Sequence, residues 1–116
     1  MKSLVEIRAY KLKPGSLVEF DRLMREVSLP LLREWMTDVV AFGASTHEND
    51  TWFLIRNYVD LADRNARQNA FYGSQAWREG SRMAILALID SYLDTVLWLT
   101  PAAIEDLRIL NTPKNA

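Results

Sequence analysis

The stretch LVEIRAYKLKPGSLVEF, Leu4 to Phe20, contains the change of period that decides the fold. From Leu4 to Leu12 the side chains alternate, with Val5, Ile7 and Ala9 on one side and Glu6, Arg8 and Tyr10 on the other, which is the two-residue period of a strand. Lys13-Pro14-Gly15 then breaks the strand. Ser16 and Glu19 have capping-box spacing, in which the serine oxygen accepts a first-turn N–H and the glutamate reaches back. Phe20, Leu23, Met24, Val27, Leu31 and Trp35 follow at three- and four-residue intervals, one apolar helical stripe for packing on a sheet. Pro30 lies inside that pattern and predicts a kink or local break.

Working outward, DVVAFGAST (Asp38 to Thr46) reads as a second strand. His47-Glu48-Asn49-Asp50 supplies a turn, since Asn and Asp tolerate tight backbone angles. TWFLIRNYV (Thr51 to Val59) returns as the hairpin partner. Asp60 caps a second helix, with Asp63 adding favourable charge to its first turn. Tyr72-Gly73 interrupts this helix and Ser74 caps a further segment, whose stripe of Trp77, Met83, Leu86, Ile89 and Tyr92 is less regular than the first. A last strand, Thr95 to Thr100, stops at Pro101. The expected domain is a single one over residues 1–116, with a core at about 4–100 and a loosely ordered tail at 101–116. The fold class is α+β, with the β-α-β-β-α-β order of a ferredoxin-like antiparallel four-stranded sheet carrying its helices on one face.

Composition narrows the function classes. A chain of 116 residues is long enough to bury a core without staples. The net charge of −1 gives no general electrostatic reason to bind nucleic acid or an anionic membrane. The absence of cysteine excludes disulfides, thiolate nucleophiles and Cys-ligated metals. No apolar run approaches the ~20 residues that span a bilayer, and Met1-Lys2-Ser3 leads directly into a strand, so the expected location is cytoplasmic. GxGxxG, phosphate-loop and GxSxG motifs are missing, which leaves dehydrogenase and hydrolase readings without support.

Two helices cover only one face of a four-stranded sheet. The facing expected here places Val5, Ile7, Phe53 and Ile55 under the helices and leaves Glu6, Arg8, Tyr10, Arg56 and Tyr58 on a common open face. That set is too polar for a plain core and too aromatic for bare solvent. A partner sheet would cover it, and a twofold homodimer is the commonest way to supply one.

The sequence resembles the NIPSNAP family of the dimeric α+β barrel superfamily. The likeness is carried by Glu6-x-Arg8-x-Tyr10 followed by Leu12-Lys13-Pro14-Gly15, by Tyr58-x-x-Leu61-Ala62-Asp63-Arg64, and by Trp77, and it runs from about Val5 to Leu99. The resemblance implies a barrel dimer. The wider superfamily includes cofactor-free monooxygenases, haem-degrading enzymes and lactone isomerases, among which fold does not select.

His47 is the sole histidine and hence the one side chain whose ordinary pKa lies between pH 5 and 8. It is a candidate general acid or base, although its HEND context favours a solvated turn residue. A metal site needs about three protein ligands, which one histidine and no cysteine do not provide, so neither a metal nor a cofactor is expected. Haem degradation needs a histidine facing the iron, and a short turn places His47 badly for that. Arg8 and Arg56 are candidates for holding an anionic substrate while Glu6 moves a proton. The structural alternative, a charge network satisfied across the dimer axis, is favoured because buried charges persist mainly when paired. Tyr10, Tyr58 and Trp77 are candidates for ligand contact. Cofactor-free oxygenases of the superfamily rely on an Asn, Trp and Tyr set, and this chain has those residue types in Asn57, Trp77 and Tyr72. Two functions compete. One is a dimer binding a small hydrophobic or anionic ligand, as a cofactor-independent monooxygenase, cyclase or isomerase acting on a weakly acidic compound. The other is a non-catalytic dimeric scaffold or protein-interaction module. A fully packed core with no cavity favours the second, and an enclosed void of about 300 Å³ or more favours the first.

Overall fold

The computed structural model describes residues 1–111. In chain order it contains β1 (Ser3–Leu12), α1 (Leu17–Leu23), a π-helical turn (Met24–Ser28), α2 (Leu29–Glu34), β2 (Asp38–Ala44) and β3 (Thr51–Tyr58). These are followed by α3 (Leu61–Tyr72), α4 (Gln75–Glu79), α5 (Arg82–Leu86), β4 (Ile89–Leu99) and α6 (Pro101–Asn111). The strands form one antiparallel sheet in the order β2-β3-β1-β4, the ferredoxin-like arrangement.

Local chemistry explains the boundaries. Gly15 ends the break after β1 with φ of 80°, a left-handed conformation that suits glycine. The capping box expected at Ser16 does not form. Ser16 is itself in the right-handed helical region, and Glu19 pairs with Arg22 instead. Pro30 has no N–H to give to the carbonyl of Glu26, so the helix widens just before it, and Leu29 N–H reaches back five residues to Met24. At α3 the expected caps are present: Asp63 N–H donates to Asp60 Oδ1 at 2.8 Å, and Val59 N–H donates to Asp63 Oδ2 at 3.0 Å. Ser74 caps α4 by accepting from Trp77 N–H at 3.2 Å.

Two expectations about the C-terminal half are corrected. β4 begins at Ile89 rather than Thr95, so Ile89 and Tyr92 belong to a strand and not to a helical stripe, while Met83 is exposed. The polar residues Asp90, Ser91 and Asp94 hide this strand from a hydrophobic-run reading, although β1 pairs with it over its whole length. Where a loose tail is expected, Pro101–Asn111 form α6. Ile104 of α6 is buried with Val5, Val40, Ala41 and Ile55, and Arg108 donates to Asp38 Oδ2 and to the Val39 carbonyl, both at 3.1 Å. Residues 112–116 of that tail lie outside the described residues.

The expected facing of the sheet is also reversed. The side carrying Glu6, Arg8, Tyr10, Arg56 and Tyr58 lies beneath α1–α5, where Tyr10, Leu12, Trp52 and Leu54 pack with Phe20, Met24, Leu32 and Phe71 in the main core. Val5, Ile7, Phe53 and Ile55 lie on the other side, partly covered by α6. The physical reason is in α3. Arg64, Gln68 and Tyr72 recur every fourth residue on one face of it and bond to the charged strand residues. The polar strand face is therefore satisfied within one chain. The outer sheet face is apolar instead, with Ile7 and Phe53 half-buried and Leu93 78% exposed.

Candidate functional site

Cross-strand register assembles the site. Glu6 sits opposite Arg56 of β3, and Arg8 sits opposite Asp94 of β4. Glu6 and Arg56 are both fully buried and form an ion pair through Glu6 Oε1 and Arg56 Nη2. The second oxygen, Glu6 Oε2, accepts from Arg64 Nε at 2.6 Å and from Gln68 Nε2 at 2.7 Å. Arg8 donates to Asp94 along its Nε–Nη2 edge, at 2.6 and 3.0 Å. Arg64 Nη2 reaches the same carboxylate at 3.1 Å. The Tyr72 hydroxyl accepts from Arg56 Nη1 at 2.9 Å and from Arg8 Nη1 at 3.3 Å. Gln68 Nε2 also donates to the Tyr58 hydroxyl at 3.2 Å.

The electrostatics follow from these bonds. Burial alone would raise the Glu6 carboxyl, but Arg56, the Gln68 hydrogen bond and Arg8 outweigh it and hold the group below the ordinary carboxylate range. Burial also disfavours charge on Arg8 and Arg56. Asp94 with the neighbouring tyrosines counters it at Arg8, and the tyrosines with Glu6 counter it at Arg56, so both stay protonated. Burial pushes the Tyr10 and Tyr58 phenols up. Three guanidiniums thus face two carboxylates, and one positive charge is left over in a largely buried cluster.

Beside this cluster lies a half-open cleft of about 440 Å³. Arg8, Tyr10 and Tyr92 of the sheet form its floor, and Gln68, Asn69 and Tyr72 of α3 form one wall. Trp77, Arg82 and Ile85 of the α4–α5 segment form another. Met24 and Ser28 reach it from the π-helical turn, so the widening forced by Pro30 shapes its rim. Trp77 meets Tyr72 edge-on, with ring centroids 5.4 Å apart, and the Arg8 guanidinium lies 4.6 Å from the centre of the Tyr92 ring.

Of the candidates read from sequence, Arg8, Tyr10 and Trp77 line this cleft. Glu6, Arg56 and Tyr58 stand behind it in the charge network rather than on its surface. His47 is elsewhere, in the β2–β3 turn, with its side chain 71% exposed and in contact with Ser45 and Glu48. Asn57 is on the opposite sheet face, bonded to Asp38 at 3.1 Å, so it does not join Trp77 and Tyr72. The charges pair within the chain, through α3 and β4, rather than across a twofold axis. Asp94, Gln68 and the bridging role of Tyr72 were not anticipated. The four-residue spacing of Arg64, Gln68 and Tyr72, a polar stripe at helical period, is the signal that carries them.

The NIPSNAP family model matches residues 5–103. Among solved structures, a NIPSNAP family protein from Agrobacterium tumefaciens superposes with a TM-score of 0.78 at 21% identity, covering 85% of this chain and 87% of that one. An uncharacterized NIPSNAP-like domain protein from Burkholderia xenovorans gives 0.77 at 21% identity, with 85% and 86% covered. A second A. tumefaciens NIPSNAP family protein, of unknown function, gives 0.77 at 18% identity, with 85% and 92% covered. None of the curated proteins matches the chain. At such identities the structural likeness speaks for the fold, and the family match for descent: this chain belongs to the NIPSNAP family.

Proposed function

We propose that the chain is one protomer of a homodimeric barrel that binds a small, flat, hydrophobic and weakly acidic compound in the cleft beneath α3–α5. The observation that carries this reading is the cleft itself. Its volume of about 440 Å³ lies in the range of small-molecule sites, and its floor presents a charged arginine among aromatic rings. The reactions that suit such a lining are those in which an anionic or enolic form of the ligand is stabilised: isomerisation, cyclisation or cofactor-independent oxygenation. Arg8 holds the anion, Arg56 steadies Arg8's partner Tyr72, and the aromatic walls take the hydrophobic body. The dimer is supported by the apolar outer sheet face of Ile7, Phe53, Leu93 and Leu97, which α6 covers only in part.

Equilibrium binding of 7-hydroxycoumarin, a flat weak acid with its own fluorescence, tests the site. Arg8→Ala and Arg56→Ala are each expected to lower affinity about tenfold or more, the loss of one charge-assisted hydrogen bond or its support. Full affinity in both variants would show the assignment to be wrong.

A further inference from the structure

We infer that Ser28 determines specificity in the cleft by donating a hydrogen bond to a neutral carbonyl oxygen of the ligand. The compound then carries two oxygens, an acidic one for Arg8 and a neutral one for Ser28, as a hydroxylated aromatic lactone or ketone does. The inference rests on the cleft being the ligand site and narrows what it takes.

Ser28 closes the π-helical turn and lines the cleft, with 3% of its surface exposed. In an ordinary helix a serine hydroxyl can return to the carbonyl four residues back. For Ser28 that carbonyl belongs to Met24, and it receives the N–H of Leu29 across the widened turn instead. The Ser28 hydroxyl makes no hydrogen bond among the described residues. It is not sealed off as the unpartnered Ser81 hydroxyl is, because the little exposure that Ser28 keeps includes its oxygen. A hydroxyl taken out of water without a partner is costly, and a ligand oxygen in the cleft supplies the missing bond.

The rest of the polar lining argues for a neutral acceptor. Arg8, Tyr10, Gln68 and Tyr72 are bonded to one another or to the charge network. Asn69 and Arg82 are exposed. Trp77, buried and also in the lining, has an indole N–H with no hydrogen-bond partner among the described residues. An indole N–H donates only. The donors left over in buried positions are thus neutral ones, which match a carbonyl. A second carboxylate would lose its water against them without a buried counterion.

Equilibrium titrations of 7-hydroxycoumarin and 2-naphthol with the native protein and with Ser28→Ala test this. Both probes are flat fluorescent phenols, and only the coumarin has a lactone carbonyl on the ring away from its hydroxyl. Each probe is compared with itself across the two proteins, so their different acidities cancel. Ser28→Ala is expected to weaken 7-hydroxycoumarin about fivefold or more, the worth of one neutral hydrogen bond, and to leave 2-naphthol within about twofold. Alanine is the best helix former and the variant loses only an unpartnered hydroxyl, so its urea midpoint should not fall below the native one. Ser28→Cys, which keeps the size and gives up most of the donor strength, serves where the alanine variant folds poorly. If 7-hydroxycoumarin binds native and variant proteins alike, or if 2-naphthol loses as much affinity, Ser28 is not the donor: the inference is refuted and the cleft reading stands. If neither probe binds the native protein, the cleft reading falls and this inference with it.

Discussion

Replacing Glu6 by Gln keeps the shape of the side chain and removes its charge, leaving the fully buried Arg56 without a counterion. Breaking a buried pair from one side costs about 3 to 5 kcal/mol, so Glu6→Gln should lower the urea midpoint severely. The same residue gives the protein a defined acid limb. Its folded carboxyl titrates below the ordinary 4.5, so on the acid side the unfolded chain binds the extra proton. The stabilisation is fully present above that ordinary value and is lost as pH falls through the depressed folded value. Unfolding midpoints measured between pH 6 and pH 2 should show this fall in the native protein and a flatter limb in Glu6→Gln. His47 behaves differently: it is exposed in its turn and touches neither network nor cleft, and His47→Ala should leave coumarin affinity unchanged within twofold.

At the scale of elements, α6 and the start of α3 give the sharpest expectations. Ile104 is the buried residue by which α6 closes over Val5, Val40, Ala41 and Ile55. Ile104→Ala deletes buried methyls and leaves a cavity, for an expected loss of about 2 to 5 kcal/mol in chemical denaturation. Asp60 caps α3, the helix that carries Arg64, Gln68 and Tyr72 to the sheet. Asp60→Ala should cost about 0.5 to 2 kcal/mol. Because α3 forms a wall of the cleft, the same variant should also weaken coumarin binding, a coupling that equilibrium titration would read directly. The π-helical turn before Pro30 is a further case of an element shaped by one missing donor, and it brings Met24 and Ser28 to the cleft rim.

At the scale of the whole molecule, the sheet divides two environments. One face is closed by five helical segments and holds the charged network, while the other is apolar and only partly roofed by α6. The proposed dimer covers this second face. Leu93→Glu introduces a charge at a position 78% exposed in the single chain, so it should fold normally yet sediment as a monomer where the native protein sediments as a dimer. A native protein that sediments as a monomer at micromolar concentration would remove the dimer from the proposal.

The sequence by itself determined the order of elements, because period changes and punctuation are local: alternation from Leu4 to Leu12, the Pro14-Gly15 break, the 47–50 turn, and caps at Asp60 and Ser74. It also marked Arg8, Tyr10 and Trp77, which line the cleft, through residue type and placement. Only the tertiary structure decided which way the sheet faces. A strand of period two offers both faces equally, and the choice was made by the polar stripe of α3, whose residues bond to Glu6 and Arg8 from 58 to 64 positions away along the chain. The first half of β4, ahead of Thr95, and α6 were hidden for a similar reason. Asp94 lies in a strand because Arg8 lies opposite it, and Pro101–Asn111 are helical over an apolar sheet face that no local pattern reveals. The candidate site exists where these long-range choices meet, which is why its parts could be named from the sequence and its geometry could not.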